Sequence, residues 1–241
     1  MRTQCLLAGL TLLASVHTVN AASYNFVDWT AADAKAGTAS GTLTLSDSST
    51  VSVAFAVTNG DGTPGSFYFA QTDGGGLDYW SVDAPYISAQ VDNAPDSSDI
   101  LALVGGGANT RYVLTLSRAI DDPILDVLSL GRDRVFVSYE FDTPFTILSS
   151  GTGYFGGSAD RLQQLPGNVL VGEEGHGTLG FTGSFTSLSW VAPSSEVWHG
   201  FQLGVRGPEP VTLIASIPEP GSYALFGLGL AALAVAGRRR R

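Results

Sequence analysis

Short runs of alternating apolar and polar residues, separated by glycine-rich turns, constrain the fold of this chain more than any other feature. Between residues 22 and 217 no segment has the periodicity of an amphipathic helix. Val51, Val53, Phe55 and Val57 instead alternate with small or polar residues, which places them on one face of a strand. The pattern predicts an all-β domain, which we interpret as a single β-sandwich of jelly-roll-like form.

Clusters of Gly, Ser, Thr, Asp and Asn mark the limits of the predicted strands. The segments at 124–130 and 134–141 are expected to form a hairpin across residues 131–133, and residues 31–37 are expected to form a loop. Trp29 and Trp190 lie inside predicted strands and are assigned to the core. The other predicted strands cover residues 23–29, 41–45, 50–58, 100–104, 112–116, 145–148, 177–182, 184–190 and 201–205.

The beginning of the chain has the three parts of a secretory signal peptide. Arg2 precedes an apolar stretch at residues 5–16, and the small residues Val19 and Ala21 follow it. We expect a signal peptide at residues 1–21, cut after Ala21, with a cut after Ala22 as the alternative. Cys5, the single cysteine, lies in this segment, so the processed domain forms no disulfide.

Charge excludes several classes of partner. The whole chain has a formal net charge of −10, and removal of both terminal signals leaves 7 basic and 21 acidic residues, a net charge of −14. Lys35 is the only lysine. A chain this acidic is a poor ligand for nucleic acid or for anionic lipid.

The end of the chain combines three features in a fixed order. Pro218, Glu219 and Pro220 precede an uncharged apolar segment at residues 223–237. As a helix this segment is about 22 Å long, short for a transmembrane helix, which usually needs ~20 residues. Its positive flank predicts a cytoplasmic C-terminus. The orientation cluster consists of Arg238, Arg239, Arg240 and Arg241.

This arrangement resembles the PEP-CTERM sorting signal, which an exosortase, a membrane protease, processes; a plain C-terminal anchor is the alternative. Residues 22–216 are similar to the β-sandwich domain that often precedes such tails, notably at 24–45, 99–101, 123–131, 141–149, 174–177 and 196–201. The resemblance implies a sorting signal at 217–241, export through the inner membrane, transient anchoring there, and then the cell surface or an exopolysaccharide matrix. The resembled family has no settled activity that could be carried over to this chain.

Aromatic residues beside glycine-rich loops are the candidates for ligand binding. Trp80, Tyr79, Tyr154 and Trp198 have this position, and exposed rings stack on sugars in concave sites. The alternative is core packing, which is the commoner fate of Trp and Tyr.

Two histidines and three glutamates are close in sequence near the end of the domain. His176 and His199, with Glu173, Glu174 and Glu196, offer ligands for zinc or a carboxylate pair for glycoside hydrolysis. Two histidines without further spacing are not a metal motif, so we favour a structural role in which each bonds to backbone groups or adjacent acids. The sequence has no Gly-x-Ser-x-Gly nucleophile motif.

Carboxylates in the glycine-rich turns are possible ligands for calcium. Asp61, Asp73 and Asp78 are weak candidates, because Asp and Asn favour turns without any metal. No other cofactor is predicted. We therefore expect a non-catalytic structural or adhesive protein, with a carbohydrate-binding module as the alternative and a glycan-active enzyme as the least favoured.

Overall fold

The computed structural model describes residues 21–107 and 109–208. The predicted signal peptide, the apolar segment at 223–237 and the sorting motif lie outside these residues, apart from Ala21. The described residues form two antiparallel sheets that pack face to face, so the predicted all-β sandwich is confirmed. They also include a short 3-10 helix at Ala159–Arg161.

The eight-stranded sheet has the order β11-β12-β9-β14-β7-β4-β3-β2. In chain order its strands are β2 (Asp28–Asp33), β3 (Thr38–Thr44), β4 (Thr50–Thr58), β7 (Arg111–Asp121), β9 (Val137–Phe141), β11 (Leu162–Leu165), β12 (Val169–Gly172) and β14 (Ser184–Val191).

The seven-stranded sheet has the order β10-β13-β8-β15-β6-β5, and β1 also pairs with the end of β15. Its strands are β1 (Tyr24–Phe26), β5 (Phe69–Gln71), β6 (Ile100–Gly105), β8 (Ile124–Leu130), β10 (Thr146–Ser150), β13 (Gly175–Gly180) and β15 (Ser195–Arg206).

The main core lies between the two sheets and is rich in aromatic rings. Phe55 of β4 lies 5.4 Å from Phe201 of β15, and Phe201 lies 5.1 Å from Trp190 of β14, measured between ring centroids. Trp29 and Trp190 are fully buried, as predicted. The predicted alternation in β4 is also confirmed, because Val51, Val53, Phe55 and Val57 are buried between exposed or partly exposed neighbours. With no disulfide, this buried apolar area is the main source of stability.

The expected hairpin at residues 124–141 is wrong. β8 pairs with β13 and β15 in one sheet, whereas β9 pairs with β12 and β14 in the other. Gly131, at a φ of +73°, begins a connection that crosses between the sheets. The glycine-containing connections after β6 and β13 cross in the same way, so glycines between strands mark a change of sheet in this chain as well as a hairpin turn. Residues 31–33, expected in a loop, belong to β2.

The central strands of the seven-stranded sheet are buried on both faces, namely β6, β8, β13 and most of β15. The sheet's inner face packs on the other sheet, and its outer face is covered by residues 72–99, the cover segment, which contains no named strand. Trp80 and Tyr86 of the cover segment pack on Ile100 and Leu128 of the sheet. The indole N–H of Trp80 donates to the backbone oxygen of Asp99, at 3.0 Å.

Gln202 of β15 links the seven-stranded sheet by hydrogen bonds to residues 27–29 and to Asp99, the last residue of the cover segment. Its side chain is fully buried, and its amide nitrogen donates to the backbone oxygens of Val27 and Asp99, at 3.0 and 3.2 Å. Its amide oxygen accepts from the indole N–H of Trp29 and from the N–H of Leu203, at 3.0 and 3.1 Å. All four hydrogen-bonding positions of the amide are therefore used, which offsets the cost of burying it.

Asp126 of β8 is a buried acid beneath the cover segment. Its side chain is fully buried, and burial raises its pKa well above the usual value. Thr178 Oγ1 is within hydrogen-bond distance of both Asp126 Oδ1 and the backbone oxygen of Tyr86. A hydroxyl has one proton to donate. A protonated Asp126 donates to Thr178, which leaves the Thr178 proton free to bond Tyr86 and hold the cover segment.

This arrangement predicts a specific dependence of stability on pH. The folded-state pKa of Asp126 is raised, so above the unfolded pKa of about 3.9 the native state retains a proton that the unfolded chain loses. Asp126 therefore lowers the free energy of unfolding by up to about 1.4 kcal/mol per pH unit as the pH rises toward its folded pKa.

Asp126→Asn should remove this loss, since an amide donates to Thr178 at every pH. We expect its melting temperature to exceed that of the wild type by several degrees at pH 8, since about 1 kcal/mol shifts it by roughly 2–4 °C. The gap should close near pH 4. Thermal unfolding followed by circular dichroism tests this, with the exposed Asp96→Asn as control. A gap that does not change with pH would show that Asp126 is ionised in the native state.

Candidate functional site

Six aromatic rings from four separate segments meet at one place on the outer side of the seven-stranded sheet. We call this group the aromatic surface. Two rings come from β5 and the residue before it, one from the cover segment, two from the loop at residues 151–157, and one from the start of β15. Its members are Tyr68, Phe69, Tyr79, Tyr154, Phe155 and Trp198.

Tyr79 is the centre of the aromatic surface. Its ring centroid lies 5.1 Å from Trp198, 5.2 Å from Tyr154, 5.9 Å from Phe155 and 6.4 Å from Phe69. Two of these four pairs, those with Trp198 and Tyr154, meet edge to face, a geometry that aromatic quadrupoles favour. Burial raises the pKa of the Tyr79 hydroxyl, and the neighbouring Tyr154 adds to the shift. The rings therefore hold one another in fixed orientations.

Half of the aromatic surface is open to solvent. Tyr68, Tyr154 and Phe155 are 53%, 39% and 45% exposed. The remaining rings are partly buried and pack against the cluster that contains Trp80 and Tyr86. Exposed rings fixed on a buried base form a preorganised contact surface, since few of their rotamers are left to freeze on binding.

The sequence predicted part of this group. Tyr79, Tyr154 and Trp198 belong to the aromatic surface. The expectation that Trp80 is an exposed ligand-binding ring is wrong. Trp80 is 1% exposed, because its ring packs between the cover segment and the sheet, with its centroid 5.2 Å from that of Tyr86. Tyr68, Phe69 and Phe155 were not predicted as site residues from the sequence. The run of three aromatics at residues 67–69 was a signal, because strict alternation cannot bury all three.

His199 fixes the bulge that carries Trp198. Ser195 pairs with Gly105 and His199 with Leu103, so three residues of β15 stand opposite one of β6. Within this bulge His199 Nδ1 lies 2.7 Å from Glu196 Oε1, and the same oxygen accepts the N–H of Gly131 at 2.7 Å. The Glu196 and His199 side chains are 2% and 0% exposed. Their contact ties the bulge to the sheet-crossing turn that begins at Gly131.

His176 fixes a second bulge, in β8. Gly175 pairs with Leu130 and Gly177 with Val127, which leaves His176 opposite two residues. One of these, Ser129, has a φ of +56°, and its N–H donates to His176 Nδ1 at 3.3 Å. Tyr86 Oη also lies 3.2 Å from Nδ1. The network assigns the ring proton to Nε2, which faces Glu174 Oε1 at 3.6 Å.

The same histidine supports the glycine loop, residues 151–157. A Cβ at Gly153 would lie 2.3 Å from the His176 ring, and one at Gly157 would lie 2.2 Å from the backbone oxygen of Glu174. Only glycine allows the loop to approach this closely. The loop thus places Tyr154 and Phe155 against Tyr79. His176 and His199 are buried structural residues that position the aromatic surface and do not belong to its exposed face.

The three candidate glutamates accept hydrogen bonds within the fold. Glu173 accepts the N–H of Arg134 and pairs with Arg161, and these contacts lower the pKa of Glu173. Glu174 accepts the hydroxyl proton of Ser129, and Glu196 is held in the β15 bulge as described. Each carboxylate has a structural partner that a reaction would have to displace.

The calcium candidates behave as turn residues. Asp61 Oδ1 accepts the N–H and hydroxyl of Thr63, at 3.0 and 2.6 Å, which lowers the pKa of Asp61. Asp73 and Asp78 each accept the N–H of the residue two positions later, at 3.1 and 3.0 Å. Within residues 21–107 and 109–208, no group of three or more His, Cys, Asp or Glu side chains is placed to hold a metal ion.

A shallow depression of about 500 Å³ lies on the outer face of the eight-stranded sheet. No aromatic or charged side chain lines it, so it offers hydroxyl groups and small apolar side chains alone. Its polar lining consists of Thr30, Ser40, Thr42, Ser52, Thr115 and Ser117.

The sorting residues Pro218, Glu219, Pro220 and Arg238 to Arg241 lie outside the described residues, so their geometry adds nothing to the sequence pattern. A comparison with protein-family models matches residues 216–241 to the model described as the PEP-CTERM protein-sorting motif. The chain carries a PEP-CTERM sorting motif. This motif implies export, transient membrane anchoring and processing by an exosortase, itself a membrane protein.

Beyond the PEP-CTERM motif, comparisons with curated proteins and with solved structures give no match to the chain. In the described part of the chain, no helix is both long and apolar enough to span a membrane.

The aromatic surface predicts that one of the four tryptophans is accessible to a neutral quencher. Trp29, Trp80 and Trp190 are at most 1% exposed, whereas Trp198 is partly exposed. We expect Trp198→Phe to lower the Stern–Volmer slope of acrylamide quenching several-fold, because the remaining indoles are shielded. Trp190→Phe, the matched control, should leave the slope of the accessible fraction unchanged. Equal slopes in the two variants would mean that Trp198 is covered.

Proposed function

We propose that this PEP-CTERM protein is a non-catalytic adhesive protein of the cell surface or exopolysaccharide matrix, and that it contacts glycans through the aromatic surface. One observation carries the proposal: six rings from four segments are fixed side by side, and three of them are about half exposed. Rigid exposed rings match the apolar faces of pyranose sugars. Carbohydrate binding, the alternative to a purely structural role, is therefore the function this surface favours.

A non-catalytic role is supported by the use of the polar groups. His176, His199, Glu174 and Glu196 are occupied by contacts that hold bulges and turns. A glycosidase needs two carboxyl groups free to act on the sugar, one of them as a proton donor. We therefore propose that the domain binds glycans without cleaving them.

The ends of the described domain leave the aromatic surface clear. β15 starts beside Trp198 and ends at Arg206, which pairs with Tyr24. Arg206 lies eight positions after Trp198 along β15, roughly 26 Å at about 3.3 Å per residue. Both the first described strand and the exit of the chain therefore lie at the far end of this sheet from the aromatic surface.

Glycan binding can be tested with matched alanine variants. Trp198→Ala and Tyr154→Ala should each weaken binding to the preferred oligosaccharide by about 3- to 10-fold, because a stacked ring contributes about 0.5–1.5 kcal/mol. Phe136→Ala removes a ring that is 62% exposed in the connection between β8 and β9 and should have no effect. Calorimetry against a panel of neutral oligosaccharides measures this. Absence of binding across the panel, or an equal loss in Phe136→Ala, would contradict the proposal.

Processing at both ends can be tested by the intact mass of the protein recovered from the surface or medium of its host. We expect a chain that begins at Ala22 and ends near Pro218 to Pro220. A cut after Ala21 keeps two hydrogen bonds of Ala22, its N–H to Gln90 and its carbonyl oxygen from Asp92, both at 3.0 Å. Recovery of a chain that still ends at Arg241 would contradict cleavage. The proposed transmembrane helix would then serve as a plain anchor with its C-terminus in the cytoplasm.

A further inference from the structure

The segments that build the aromatic surface contain no basic residue. The sequence has no Lys or Arg between Lys35 and Arg111, between Arg134 and Arg161, or between Arg161 and Arg206. All six rings fall within these intervals. A ligand at this surface therefore meets no lysine or arginine from the segments that carry the rings.

The same segments do contain exposed carboxylates. Asp73, Asp78 and Asp83 of the cover segment are all exposed. Asp78 directly precedes Tyr79, and its Oδ1 accepts the N–H of Trp80 at 3.0 Å, which fixes the carboxylate next to the central ring. Asp73 follows β5, which carries Phe69, and its Oδ1 accepts the N–H of Gly75 at 3.1 Å. At physiological salt, interactions between exposed charges are largely screened beyond about 8 Å, so a carboxylate acts mainly on a ligand group that comes close to it.

Aromatic faces and carboxylates select for the same kind of ligand charge. A ring face attracts a cation through its quadrupole, and a carboxylate adds a charge-assisted hydrogen bond to an ammonium group. A polyuronate would be repelled by the same carboxylates. A neutral glycan would use the rings alone, without any contribution from the acids.

We propose that the aromatic surface binds a glycan that carries protonated amino groups, such as a partly N-deacetylated hexosamine polymer. This inference rests on the proposed glycan-binding function and adds the charge class of the glycan. The rings supply the stacking contacts, and Asp73 and Asp78 supply the preference for the amine. A basic peptide would satisfy the carboxylates too, and the experiment distinguishes it.

Two oligosaccharides with the same backbone test the proposal: glucosamine oligomers and their fully N-acetylated counterparts, compared at mildly acidic pH, where sugar amines and Asp are both charged. We expect the amine form to bind the processed domain about tenfold more tightly, as two exposed ion pairs allow. Raising the salt should reduce this preference. Trp198→Ala should weaken both oligomers.

Matched variants isolate the carboxylates. Asp73→Asn with Asp78→Asn keeps an oxygen for each turn hydrogen bond, so folding is retained, and the preference for the amine form should disappear. Asp47→Asn is the control: Asp47 makes the same kind of turn with Ser49, at 2.9 Å, between β3 and β4. It should leave the preference unchanged.

The outcomes separate the inference from the proposed function. Equal or tighter binding of the N-acetylated oligomer would overturn the inference and leave glycan binding intact. No binding of either oligomer, or of the neutral panel, would overturn both. Displacement of the amine oligomer by polylysine, with no effect of Trp198→Ala on either ligand, would overturn the inference in favour of a basic peptide site.

Discussion

Burial of the seven-stranded sheet on both faces is the constraint on which the rest of the structure depends. All seven residues of β8 are buried, so the sheet needs a second layer outside the sandwich. The cover segment provides it without named strands, and its attachment relies on polar contacts such as the Thr178 bond to the Tyr86 backbone. Buried polar groups on a two-sided sheet must find partners inside the protein, which explains why Gln202 uses all four of its hydrogen-bonding positions.

The aromatic surface arises where this outer layer ends. The Trp80 and Tyr86 rings of the cover segment pack against the sheet, whereas Tyr79, one residue earlier than Trp80, lies among partly exposed rings. Two β-bulges, one in β15 and one in β8, position the other rings. Each carries or supports rings, and each is held by a histidine that is completely buried. The exposed rings and the buried histidines thus belong to one arrangement, in which polar contacts in the interior fix apolar contacts at the surface.

The fold class, the strand positions and the core tryptophans follow from period-two alternation, which is a local property of the sequence. Local alternation does not determine the sheet to which each strand belongs. The expected hairpin between β8 and β9 was wrong for this reason, because glycine permits a sheet crossing and a hairpin turn equally well. Trp80 and Tyr79 show the same limit at the site. They are neighbours in sequence near the same glycine-rich turn, but the Trp80 ring packs against the sheet whereas the Tyr79 ring lies among exposed rings, a difference that only the tertiary structure determines.

The PEP-CTERM motif and the β-sandwich domain bear on different properties of the protein. The motif concerns export and processing. It can be found from the sequence alone because the protease and the membrane interact with a short contiguous segment of the chain. What the domain contacts depends on side chains brought together from distant segments, and a fold by itself does not determine that. Here the histidines and glutamates that suggested chemistry are used to hold the backbone. The exposed groups at the outer side of the seven-stranded sheet are aromatic rings with carboxylates nearby in sequence, and the proposed charge class of the ligand is inferred from that combination and not from the motif.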